Sequence, residues 1–156
     1  MGVTEVRRTT TIARILLAVE AAPESRTVIA SATQLARQSH AEVLVLSVRE
    51  RDYARGFAWD VRPAGEIAET VGGAVYQLRR AGVDARGLIR TARSGRVADE
   101  IVYAARKHHV SEIVIGASRR TWLGRLLMGS VAPRVLRLSD LPVVTVPTDR
   151  TVRQSA

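Results

Sequence analysis

Two kinds of apolar segment alternate along the chain. Ile15-Leu16-Leu17-Ala18-Val19 and Val43-Leu44-Val45-Leu46-Ser47-Val48 are short continuous runs, the pattern of strands covered on both faces. Glu112-Ile113-Val114-Ile115-Gly116 and Pro142-Val143-Val144-Thr145-Val146-Pro147 repeat it, while the stretch from about Asp84 to Thr91 alternates more and so belongs nearer an edge. Between these runs the period changes. Pro23-Glu24-Ser25 reads as a helix start, and Val28, Ile29, Ala32, Leu35 and Ala36 then recur at the three-and-four spacing of a buried helical face that closes at His40. A second helix is expected from about Ala64 to Arg80, ending before Gly82. A third carries Val97, Ile101, Val102, Ala104 and Ala105, and a fourth carries Val131, Val135 and Leu138. Arg49 to Pro63, with Tyr53, Phe57 and Trp59 among Arg, Asp and Gly, reads as a surface loop or flap.

The order is therefore β-α-β-α-β-α-β-α-β. Consecutive parallel strands need crossover helices, so the pattern predicts an α/β fold: a five-stranded parallel open sheet with helices on both faces. Residues 1–13, with Arg7-Arg8 and Thr9-Thr10-Thr11, show neither period and are expected to form a loose arm. One domain over 14–147 and a tail over 148–156 complete the organisation, since 156 residues suit a single core. Ligands of open parallel sheets sit beyond the carboxyl ends of the strands, where the topology switches direction. That directs attention to Glu20, Val48 and the loop after Ile115.

Composition narrows the chemistry. With 46% hydrophobic and 25% charged residues the chain has the balance of a globular protein. No run approaches the roughly 20 apolar residues of a membrane helix, and the start lacks a secretory signal, so cytoplasmic residence without membrane insertion is expected. Cysteine is absent, which excludes disulfides, thiol nucleophiles and thiolate metal sites. Lys+Arg outnumber Asp+Glu by 24 to 15, a net charge of +9, and every basic residue except Lys107 is Arg. The Arg residues are spread over the whole chain, as coding bias towards Arg would leave them, so the excess by itself names no anionic partner.

The most informative segment runs from Gly116 to Val131. A strand ends on Gly116, and Gly129-Ser130 opens a helix. Glycine lets the backbone approach a phosphate, and the free N–H groups and dipole of a helix N-terminus favour anions, with the Ser130 hydroxyl as a further donor. A plain turn and N-cap would use the same two residues.

From about Ala13 to Pro147 the sequence resembles the universal stress protein family. The first strand with Pro-Glu-Ser after it, Val-Ser-Glu-Ile-Val-Ile-Gly, Leu-Leu-Met-Gly-Ser-Val, and the closing Leu-Pro-Val-Val-Thr-Val-Pro carry the resemblance in order. It implies a Rossmann-like fold of the adenine nucleotide alpha hydrolase type and a stress-response regulator that binds ATP or a related adenine nucleotide, with Mg accompanying it, as a homodimer. Nucleotide-binding members carry Gly-x2-Gly-x9-Gly-Ser/Thr, whose outer positions fall on Gly116, Gly129 and Ser130; the second glycine falls on Arg119. Glu20 stands where binders usually have Asp, and Val48 matches the position whose backbone usually meets adenine. The implied site is thus Glu20, Val48, Gly116, Arg119, Gly129, Ser130 and Val131. The implied dimer pairs the last strand, Val143 to Val146, with its copy. Two alternatives stand beside this reading: a dimeric interaction module without nucleotide, and a cyclic-dinucleotide sensor accessory to a transporter or kinase, which the Ser118-Arg119-Arg120 loop and Trp122 resemble.

The other constellations are weaker. His40, His108 and His109 lack metal-ligand spacing, and His108-His109 reads as a solvated pair at a helix end. Ser130 has no Gly-x-Ser-x-Gly elbow around it, and Asp99-Glu100 suits a solvated helix face, so a binding role is expected rather than an enzyme, slow nucleotide hydrolysis remaining compatible with it. Trp59 and Trp122 are candidates to stack on a base or to anchor loops. Arg49, Arg51, Arg55 and Tyr53 form a basic aromatic cluster, but no DNA or RNA module surrounds it and a nucleic-acid partner is not expected.

Overall fold

The structure, a computed structural model, describes residues 12–20, 25–117 and 131–148. Its elements in chain order are β1 (Arg14–Ala18), α1 (Ser25–Ser39), β2 (Glu42–Ala54), β3 (Phe57–Asp60), α2 (Ala64–Arg80), β4 (Ala85–Arg93), α3 (Val97–Lys107), β5 (Glu112–Ala117), α4 (Val131–Leu138) and β6 (Val143–Pro147). Every element expected from periodicity is present. β1 lies between β2 and β5, β6 follows β5, and β4 pairs with the far side of β2, all in parallel. Among the described residues β4 has β2 as its one partner, the edge position its alternation foretold.

Two layers of side chains hold the helices to the sheet. On one face Ile15 and Leu17 of β1, Val43 and Val45 of β2 and Val114 of β5 meet Val28, Ile29, Ala32 and Ala36 of α1 and Val71, Ala74 and Leu78 of α2. On the other, Leu16, Leu46, Ile113 and Ile115 meet α3 through Ile101, Val102 and Ala105, and α4 through Ala132 and Val135. Continuous apolar strands are thus explained by burial on both sides. Burying each of the Val, Leu and Ile side chains stabilises the fold by roughly 1.5–3 kcal/mol before entropy is counted. Because α1 and α2 cover one face and α3 and α4 the other, the direction of winding switches between β1 and β5.

The sheet has six strands, which corrects the expected five. The segment expected as a loop from Arg49 to Pro63 instead continues β2 to Ala54 and returns as antiparallel β3. Arg55 and Gly56 make the turn, with φ of 49° and 82°, the two positive values of a tight hairpin. All four β3 residues are exposed, so no buried face stamps the segment with a core pattern.

Candidate functional site

Two ladder pairings of one residue locate the hairpin. Arg51 is paired with Arg93 of β4 and with Asp60 of β3, so these strands lie on opposite edges of β2. β3 therefore occupies the edge that β1 occupies further back. The β1 ladder ends where the Val19 N–H donates to the Leu46 carbonyl at 2.9 Å, and the hairpin ladder begins where the Val61 N–H donates to the Glu50 carbonyl at 2.9 Å. Among the described residues nothing pairs with that edge of β2 between Leu46 and Glu50, a stretch of four residue steps, roughly 13 Å at about 3.3 Å per residue.

Val48 is central to this notch. Along a strand, successive residues present their N–H and C=O to opposite edges. Glu42 receives its bond from the β1 side through the Ala13 carbonyl, and Val43 from the β4 side through the Asp84 carbonyl. Even-numbered residues of β2 thus face β1, and the Val48 N–H and C=O both point into the notch. Its half-buried side chain packs into the core beneath α3 and α4. The notch adjoins the switch point, where β1 and its parallel neighbour β5 end side by side.

Gly116, near the end of β5, is favoured by packing. A Cβ there would stand 2.9 Å from the Thr148 Cγ2 and 3.0 Å from the Val28 Cγ2, so that these methyl groups would have to give way. Val131 opens α4, half-buried against the core. Ala132 and Val135 seat α4 on the core, and Arg134 adds an ion pair to α3, its Nη2 lying 3.0 Å from the Asp99 Oδ2. Arg119, Gly129 and Ser130 lie outside the described residues.

Glu20 takes a different direction. It borders a cleft of about 310 Å³ between α1 and α2, with Ser25, Arg26, Glu69, Thr70 and Gln77 around it. Its carbonyl accepts a hydrogen bond from the Ser25 Oγ at 2.6 Å, which stitches the end of β1 to the first residue of α1. The fold thus brings the ends of β1, β2 and β5 to one rim, with Val48 on the α3 and α4 side and Glu20 beside α1 and α2.

Charge beside the notch is partly neutralised. The Arg49 Nε and Arg51 Nε lie 3.6 and 3.2 Å from the Asp60 Oδ1, so one carboxylate on the hairpin holds two guanidinium groups of β2. Arg93 and Arg51 lie over the Tyr53 ring, 5.0 and 6.0 Å from its centre. Arg49, Arg51 and Tyr53, grouped from sequence as a basic aromatic cluster, are therefore engaged with one another's neighbours on the hairpin. What sequence reasoning missed is the hairpin beside the notch, although Phe57, Trp59 and Val61 alternate with Ala58, Asp60 and Arg62 at strand period. Among the described residues no three His, Asp or Glu side chains gather as a metal site, and no helix is long and apolar enough to cross a membrane.

A doubly wound, mostly parallel sheet covered by helices on both faces defines an α/β fold of the Rossmann-like class. The chain belongs to the universal stress protein family, whose family model matches residues 11–147. A universal stress protein from Archaeoglobus fulgidus is 26% identical, with a TM-score of 0.69 over 85% of this chain and 97% of that one. A structure of the universal stress protein from Archaeoglobus fulgidus in complex with dAMP is 24% identical, with a TM-score of 0.64 over 85% and 96%. A universal stress protein in complex with cAMP is 19% identical, with a TM-score of 0.65 over 88% and 98%. No curated protein sequence matches the chain significantly.

Proposed function

We propose that this protein is a regulatory binder of ATP or a related adenine nucleotide, acting in a stress response as a homodimer and without rapid turnover. The observation that carries the reading is the open edge at Val48. Its N–H can donate to a ring nitrogen of adenine while its C=O accepts from the exocyclic amine, the donor-acceptor order of that base. Solved structures of the same fold with dAMP and cAMP support the choice of base. The sequence Gly129-Ser130 before α4 suits phosphate, with Arg119 adding a charged donor and Mg accompanying a triphosphate. β6 supports the dimer, because one of its edges is unpaired among the described residues.

Calorimetric titration with ATP, AMP and cAMP tests the reading. Wild type should bind at least one, and Gly129→Asp should abolish binding by placing a carboxylate against phosphate. Arg119→Ala should weaken ATP by about one to two decades, the worth of a charge-assisted contact of roughly 1.5–3 kcal/mol. A gain of binding in both Arg119→Ala and Arg119→Gly would show instead that the side chain blocks the phosphate path. Absence of binding by all of these proteins would sink the nucleotide reading in favour of a dimeric interaction module, and tight binding of a cyclic dinucleotide alone would favour the accessory sensor.

A further inference from the structure

The apolar row on the hairpin stands outside both core layers among the described residues. Phe57 is 77%, Trp59 47% and Val61 49% exposed, and contiguous apolar side chains left in water mark binding surfaces. Residues directly opposite in a ladder share a face. Trp59 is opposite Asp52 and Phe57 opposite Ala54, so they stand on the face of β2 that carries Val48. Val61, which donates its N–H to the Glu50 carbonyl, continues the row towards the notch. The polar groups of the hairpin turn away: Asp60 is opposite Arg51 on the other face and pairs with it. Glu50 could intrude between Val48 and Val61, but its carboxylate accepts the Gly95 N–H at 3.1 Å and is drawn to the far side of β2.

An apolar wall beside a strand edge whose donor and acceptor are unpaired among the described residues suits a flat heteroaromatic ring, whose rim hydrogen-bonds and whose faces want apolar contact. We propose that Val61 and Trp59 form the outer wall of the base site, Val61 flanking the ring held at Val48 and Trp59 stacking over it. The inference rests on the nucleotide reading and adds to it a selective element: the hairpin recognises the base and contributes nothing to the phosphates. Phe57, the most exposed of the three and the furthest along the hairpin, lies outside the contact.

The test separates base from phosphate. ATP and inorganic triphosphate are titrated into wild type, Trp59→Ala, Trp59→Phe and Gly129→Asp, with circular dichroism checking that each is folded. Stacking of a base on an aromatic ring predicts that Trp59→Ala weakens ATP about tenfold or more, leaves triphosphate unchanged, and that Trp59→Phe recovers most of the loss. In a Trp122→Phe background, ATP and not triphosphate should also change the fluorescence of the remaining Trp59. Unchanged ATP affinity in Trp59→Ala, with Gly129→Asp still abolishing binding, would overturn the wall while leaving the nucleotide reading intact. Equal weakening of ATP and triphosphate would overturn it as well, by showing a general structural effect. Absence of ATP binding by the wild type would remove both.

Discussion

A Val28 methyl of α1 stands 3.0 Å from the point where a side chain on Gly116 would begin, with the Thr148 methyl 2.9 Å from it on another side. Glycine at the end of β5 therefore lets α1 and the chain after β6 close over the strand. Gly116→Ala should destabilise the protein by about 1–3 kcal/mol through overpacking. Thr148→Ser removes one of the two obstructing methyl groups, so the double mutant should recover part of the loss in denaturant melts. Additive losses would show that the obstruction is elsewhere.

Gly87 makes the same demand at the edge strand. A Cβ there would lie 2.5 Å from the Val71 Cγ1 of α2, too close without a shift of helix or strand. Gly87→Ala should cost about 1–3 kcal/mol, with α2 bearing most of the disturbance. Hydrogen exchange should show lost protection in α2 and β4 while β5 and α4 keep theirs. Val71→Ala combined with Gly87→Ala should be more stable than the sum of the two single losses.

β6 permits a test of assembly that spares the fold. Ile113 takes the Pro142 carbonyl and Thr148 donates to the Ala117 carbonyl, so even-numbered residues of β6 serve β5. The Val143 and Thr145 N–H groups consequently point to the open edge. Proline is tolerated where the lost N–H faces outward on an edge strand. Thr145→Pro should keep the melting behaviour of a folded protomer and shift light scattering from dimer to monomer. A wild-type monomer at micromolar concentration, or a Thr145→Pro dimer, would refute pairing through this strand.

His108, at the end of α3, sets a pH dependence. Burial first, then the positive charges of Arg86, Lys107, Arg14 and Arg90, push its pKa below the ordinary 6.5. The unfolded chain therefore takes up this proton before the folded one as pH falls. The contribution to stability is intact above about pH 6.5 and is lost progressively below it. His108→Gln, which carries no titrating ring, should flatten the acid side of the stability profile in urea melts between pH 7 and 5. The wild-type slope persisting in the variant would assign it to other groups.

Backbone strain supplies a gain rather than a loss. His109 follows α3 with φ of 53°, a left-handed conformation that costs a side chain roughly 1–2 kcal/mol and glycine almost nothing. His109→Gly should raise stability by up to about 1 kcal/mol once the added freedom of the unfolded chain is deducted. Thermal melts at pH 8.5, about two units above the ordinary histidine pKa, would register an increase; a decrease would mean that the His109 ring makes a contact worth more than the strain.

The sequence by itself determined the alternation of buried strands and amphipathic helices. Continuous runs such as Ile15 to Val19 and Val43 to Val48 can be satisfied by burial on both faces, and the helical stripes of α1 and α3 supply the cover. Hydrophobic burial acts on each residue locally, so its period is written along the chain and survives without knowledge of neighbours. Tertiary structure alone decided what surrounds the candidate site. β3 is exposed throughout and is held by backbone bonds to β2, which any side chains can make, so its pairing left no apolar signature of a core. The preference for glycine at position 116 comes from Val28 and Thr148, distant in sequence, and Val48 lacks a strand partner among the described residues because β1 stops and β3 starts on the same side of β2. Such features depend on which segments meet, and only the packed sheet brings them together.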